Sequence, residues 1–205
     1  MCPKPVAMCC LPALTCLLLV PMAQAEFFNN AAGLPSPVRT ITFDEHPRPF
    51  DTVITDQYAD VGITFSPRVY QDLIRNDFNG ITGPRVGNSN GDGALNPFSL
   101  RLTERRTAAA FALVSNTSTM TFTALLNGTE VDSGSAFSST TNPINFYGFT
   151  GVTFDEIRIF QQVQQFRLGV LMDSIQLGPI VPSPASLYLF AASAMGALYR
   201  RRSFV

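Results

Sequence analysis

Three carboxylates frame the central stretch of this chain. Asp44 and Glu45 follow an alternating run at 39–43, and Asp173 sits in the last run, 166–177. If those two runs lie side by side in the fold, Asp44, Glu45 and Asp173 meet. Clustered carboxylate oxygens suit Ca²⁺, a hard cation that takes about six to eight oxygen ligands. A second oxygen-rich stretch, 88–96, contains Asn-Ser-Asn-Gly-Asp-Gly. Counted from Asn88, Ser99 stands where an EF-hand loop needs Glu, so a surface loop is expected there. His46 is the only histidine, a possible general base. No Gly-x-Ser-x-Gly elbow accompanies it, and the sequence has no phosphate-binding loop and no dinucleotide fingerprint. Asp155 and Glu156 are adjacent carboxylates, but neighbours on a regular strand point to opposite faces. Tyr58, Tyr70, Tyr147 and Phe78 flank loops and could stack on sugar rings.

The elements that must position these residues read as strands. Runs at 39–43, 61–65 and 98–102 alternate apolar and polar residues, the period of a half-buried strand. Apolar or β-branched runs cover 108–114 and 119–126, and Asn127-Gly128 predicts a hairpin turn with 129–131 as the returning strand. Residues 133–143 read as a Ser/Thr/Asn-rich loop with a short strand at Ala136-Phe137. Residues 145–149, a turn at Thr150-Gly151, then 152–160 and 166–177 complete the pattern, while 76–96 reads as surface loop. No stretch keeps a helical apolar period. Short strands separated by turn signals predict an all-β fold, a single antiparallel β-sandwich of the jelly-roll kind over 38–179. Seventeen phenylalanines and no tryptophan suit a Phe-filled core.

Residues 26–180 hold all 15 acidic residues against ten arginines, a net charge of −5. That balance argues against a nucleic-acid partner, which needs a basic face. Residues 1–25 read as a signal peptide: Lys4, an apolar stretch at 11–20, and the small-x-small site Ala23-Gln24-Ala25. All four cysteines lie in this segment, so the exported part has no thiol for catalysis, zinc or disulfides. Residues 26–37, rich in Asn, Gly and Pro, read as a linker.

At the other end, Val181-Pro182-Ser183-Pro184-Ala185 opens an apolar run at 185–199 that Arg200-Arg201-Arg202 closes. Arginines stopping an apolar segment stay on the cytoplasmic side of a bilayer. Fifteen residues make about 22 Å of helix at ~1.5 Å per residue. Snorkelling arginines extend that toward the roughly 30 Å hydrocarbon core.

The order Val-Pro-x-Pro-Ala, apolar helix, Arg cluster resembles the PEP-CTERM sorting signal of Gram-negative bacteria, with Ser183 where that motif has Glu. The central domain is similar to those found in such proteins at 42–44, 57–66, 149–154 and 172–175. The resemblance implies export, anchoring in the inner membrane through the C-terminus, processing near the motif by an exosortase, and release to the cell surface or medium. It also implies association with extracellular polysaccharide or biofilm matrix. The calcium arrangement of Asp44, Glu45 and Asp173 resembles that of lectin-like and carbohydrate-binding sandwiches. The expected function is that of a non-catalytic, exported polysaccharide-associated protein. A secreted glycan or ester hydrolase is the alternative, and a purely structural matrix component a third.

Overall fold

The computed structural model describes residues 25–73, 76–89, 94–162 and 169–181. Within them the protein is all-β: eleven strands in one antiparallel sheet, plus a single 3₁₀ turn at Ala59–Val61. The strands are β1 (Glu26–Asn30), β2 (Arg39–Ile41), β3 (Val53–Ile54), β4 (Ile63–Ser66), β5 (Val69–Asp72) and β6 (Arg85–Gly87). They continue with β7 (Phe98–Ser115), β8 (Ser118–Leu126), β9 (Thr129–Ser138), β10 (Phe146–Gln161) and β11 (Val170–Leu177). Residues 1–24 of the expected signal peptide, residues 90–93, and the expected sorting tail from Pro182 through Ser183, Pro184, Ala185, the apolar run and Arg200, Arg201 and Arg202 lie outside the described residues. Among the described residues no helix is long and apolar enough to cross a membrane.

Two long strands carry the topology. The first part of β10, 146–150, pairs with 112–108 of β7; its last part, 156–159, pairs with 101–98. Between them the register shifts twice, from Thr150 to Phe154 and from Phe154 to Glu156. The outer neighbours change at the same place. β7 takes β4 along 99–102 and β11 along 109–115; β10 takes β1 along 146–150 and β8 along 156–161. An irregularity of this kind bends a strand and increases its twist.

The bend brings rings from the two halves together. Phe122 of β8 stacks on Tyr147 at 4.7 Å between centroids, and lies 5.6 Å from Phe27 and 5.8 Å from Phe111. These join one apolar cluster that draws on both halves, with Phe43, Phe65, Phe149, Phe154 and Ile157. Gly134 of β9 makes room for Phe27: a Cβ there would overlap the Phe27 ring.

Several sequence expectations change. Residues 26–37 are not a linker throughout: β1 is hydrogen-bonded along β10, and Leu34 is buried. Runs predicted as separate strands at 98–102 and 108–114 are one strand, β7; 145–149 and 152–160 are likewise one strand, β10, with Thr150-Gly151 inside it. Alternation breaks at the register shifts, which is why each pair looked divided. Residues 133–138 extend β9 instead of forming a loop, and within 76–96 β6 and Ile81 are buried. The hairpin at Asn127-Gly128 forms as expected: both residues have positive φ (52° and 79°), and Leu126 faces Thr129.

Phe27→Ala therefore separates core from linker. We expect a loss of about 2–4 kcal/mol in urea unfolding, as for a packed aromatic. A change within ~0.5 kcal/mol, the usual effect at a surface position, would return residues 26–30 to a dispensable role.

Candidate functional site

The first and last of the predicted strands do pair: Ile41 of β2 lies opposite Ile175 of β11. The pairing brings Asp44 near enough for its charge to act on Asp173. Glu45 does not join them. Both of its oxygens accept from the Thr42 N–H, at 3.2 and 3.3 Å, closing the turn behind β2. The Thr42 hydroxyl donates to Asp44 Oδ2 at 3.3 Å. Asp173 is buried, with Oδ2 accepting from Thr82 N–H at 3.0 Å and Oδ1 from Ser174 N–H at 2.6 Å. Among the described residues no three His, Cys, Asp or Glu side chains are grouped so that they could hold a metal ion. The candidate calcium triad is thus divided, because backbone donors already occupy two of its members.

Burial pushes the Asp173 carboxyl up to about 7, against the opposing pull of the two N–H donors and Arg85; Asp44 adds to the rise. The lid over this carboxyl is the segment 76–83. Phe78 and Ile81 exchange backbone hydrogen bonds of 3.0 Å, and Ile81 packs on Ala112, Val114 and Phe146. Gly80 lies on the Phe146 ring, where a Cβ would clash. Asn79 Nδ2 donates to the carbonyls of Ala31 (2.9 Å) and Pro143 (2.7 Å), and Asn145 Nδ2 donates back to the Asn79 carbonyl. Beneath it the buried Arg85 donates to the carbonyls of Asn76 (2.7 Å) and Gly83 (3.2 Å). Sequence reading singled out none of Asn79, Arg85 and Asn145. The one available signal was an arginine and several amides in a stretch too polar to be packed by apolar contacts.

Beside this lid an open cleft of about 330 Å³ lies where the ends of β5, β6, β7 and β11 meet. Asp72, Asn76, Ser89, Ser115, Asn116 and Thr140 bring polar groups to it; Phe78, Val114, Val170 and Leu171 form an apolar wall. The volume is at the lower end of the range for small-molecule sites. Ser115 is buried, and its hydroxyl has no hydrogen-bond partner among the described residues. Such an orphan costs about 1–3 kcal/mol, and the hydroxyl is enclosed beneath the cleft wall instead of facing its opening. Asn88 supports the cleft floor: Oδ1 accepts from Val170 N–H at 2.7 Å and Nδ2 donates to Leu95 O at 2.9 Å. The side-chain oxygen that opened the supposed calcium loop is therefore already committed.

The remaining candidates are placed as follows. His46 Nε2 lies 2.9 Å from Asp60 Oδ2 on the surface, and the His46 hydrogen bond holds the Asp60 carboxyl below its ordinary range. Tyr58 is buried with its hydroxyl on the Phe43 and His46 carbonyls (3.2 and 2.9 Å), and burial pushes it up to about 12. Tyr70 and Tyr147 are also buried, so of the four proposed stacking rings only Phe78 reaches the cleft. Asp155 and Glu156 do not simply face opposite ways. At the register shift both line a shallow depression of about 300 Å³, with Arg101, Glu104 and Arg105. Glu156 accepts from the Ser99 hydroxyl (2.7 Å) and from Arg101 (3.1 Å), and Asp155 accepts from Asn127 N–H (3.1 Å).

No protein-family model matches this chain, and no curated protein matches it.

The Asp173 carboxyl gives a pH prediction with a definite sign. Its folded value, about 7, lies above the unfolded value of about 3.9, so the folded state holds the proton more tightly. The stability it contributes is complete below pH ~4 and is lost as pH rises through ~7, on the order of 4 kcal/mol in all. Urea titrations from pH 4 to 8 should show this decline, and Asp173→Asn should flatten it. An unchanged slope in the variant would assign the decline to other groups.

Proposed function

We propose that this chain is an exported, envelope-held protein that binds extracellular polysaccharide without transforming it. On this reading the sheet folds over its own face as a jelly-roll-like sandwich. Residues 1–25 direct export, 185–199 lie in the inner membrane, and Arg200, Arg201 and Arg202 stay on the cytoplasmic side. The PEP-CTERM resemblance adds an exosortase that would act near Val181-Pro182-Ser183-Pro184-Ala185.

The observation that carries the binding assignment is the cleft. A sugar ring presents hydroxyls around its edge and C–H groups on its faces. The cleft is lined by the carboxylate Asp72, the amides Asn76 and Asn116, the hydroxyl of Thr140, and the ring of Phe78. The amides of Asn76 and Asn116 suit a ligand whose hydroxyls both donate and accept. The all-β scaffold supports the reading by holding these groups at strand ends.

The test is a glycan array and a hydrolysis screen on the full-length protein in detergent. Binding without release of product is expected. Phe78→Ala and Asn116→Ala should each weaken binding about tenfold, equivalent to ~1.4 kcal/mol, with the melting temperature little changed for Asn116→Ala. Absence of binding to every polysaccharide would remove this assignment. Turnover that Asp155→Ala or Glu156→Ala abolishes would replace it with the hydrolase reading.

A further inference from the structure

The last described residues do not hang free of the domain. Gly178 N–H donates to Ala108 O at 2.9 Å, Arg106 Nη1 donates to Gly178 O at 2.9 Å, and Val181 N–H donates to Arg105 O at 3.0 Å. Ile180 bridges Arg106. The chain is thus hydrogen-bonded to β7 up to the first residue of the Val-Pro-Ser-Pro motif. Only Pro182, Ser183 and Pro184 separate that point from the apolar run, a reach of about 10 Å at most.

Around the exit point the surface is unusual. Val38 is 67 % exposed and Ile180 50 % exposed. Val38 donates its N–H to Leu177 O at 2.8 Å, and Arg39 pairs with Leu177, so Val38 and Arg39 adjoin the departing chain. On the other side the backbone carbonyl of Arg105 accepts from Val181, while the Arg105 guanidinium donates to Asn127 Oδ1 at 3.0 Å. Two exposed aliphatic side chains with the exposed Arg39 beside them match the boundary of a bilayer, where apolar groups enter the headgroup layer and an arginine meets phosphate.

We infer that this end of the domain rests on the phospholipid headgroups of the bilayer that holds the tail, and that the cleft points away from it. The inference rests on the reading of 185–199 as a membrane segment. The second half follows from the strands. Val170 and Leu171 line the cleft, whereas Leu177 adjoins the exit. β11 runs between them, and seven residue steps rise about 23 Å. On β7 likewise, Ser115 is at the cleft and Arg105 at the exit. A domain tethered with only three spacer residues cannot turn over, so the cleft faces outward, where polysaccharide would be met.

Full-length protein with its signal segment removed lacks cysteine, so single nitroxide labels are specific. Val38→Cys, Ile180→Cys and Thr141→Cys would be reconstituted in vesicles of phosphatidylcholine and phosphatidylglycerol carrying a headgroup-chelated nickel relaxant. Relaxation at 38 and 180 should exceed that at 141, beside cleft residue Thr140, several-fold. Equal relaxation at all three sites in protein that floats with the vesicles would overturn the orientation and leave anchoring intact. Failure of the protein to float with the vesicles would overturn both.

Discussion

The structure depends on the ladder between β7 and β10 and on the break within it. A regular pairing of two strands this long would make a continuous twisted ribbon that encloses no interior. The register shifts at Thr150, Phe154 and Glu156 let the same two strands serve two sets of neighbours, β4 and β8 on one side of the break, β11 and β1 on the other. Tyr147 and Phe27 can then stack on Phe122, with Phe111 tilted against it. The break gives the phenylalanines a common interior, and burying them is the main favourable term holding the bend.

Side-chain amides do the fastening that disulfides provide in many exported domains. An amide carries both a donor and an acceptor, so it can stand in for a peptide group where no strand is available. Asn96 bonds both ways to the Gln161 backbone (2.9 Å each), Asn88 joins Val170 to Leu95, and Gln176 links Leu34 and Ala32 to β11. These residues are buried or nearly so, and each holds an irregular segment against a strand. The lid at 76–83 is the extreme case: Asn79, Asn145 and Arg85 secure it, and the same enclosure withdraws Asp173 from solvent.

The molecule is consequently polar along its strands. At one end the chain leaves the sheet beside Val38 and Ile180; at the other, strand ends and loops leave a cleft above an enclosed orphan hydroxyl. The depression at Asp155 and Glu156 belongs to the break itself, and its carboxylates serve as acceptors for Ser99, Arg101 and Asn127. Glu45, Asp155 and Asp173 satisfy backbone N–H groups of turns and bulges, whereas Asp44 and Glu156 accept from side chains.

The amino-acid sequence alone determined the class of fold. Period-two alternation, Asn127-Gly128 and the Phe-rich runs depend on neighbours in the chain, and so do the export and tail patterns at 1–25 and 181–202 that framed the functional expectation. It also anticipated that the runs holding Asp44 and Asp173 would lie together. What it could not show was anything set by partners far along the chain. The strand at 26–30 carries no alternation of its own and becomes a strand because β10 presents an edge. The continuity of β7 and β10 was hidden by the irregularities that make them useful. The cleft collects Asp72, Phe78, Ser115, Thr140 and Leu171 from five separate places. The three carboxylates of the expected calcium site stay ungrouped among the described residues for the same reason: whether a carboxylate is open to a cation depends on which N–H groups surround it, and only the tertiary structure decides that.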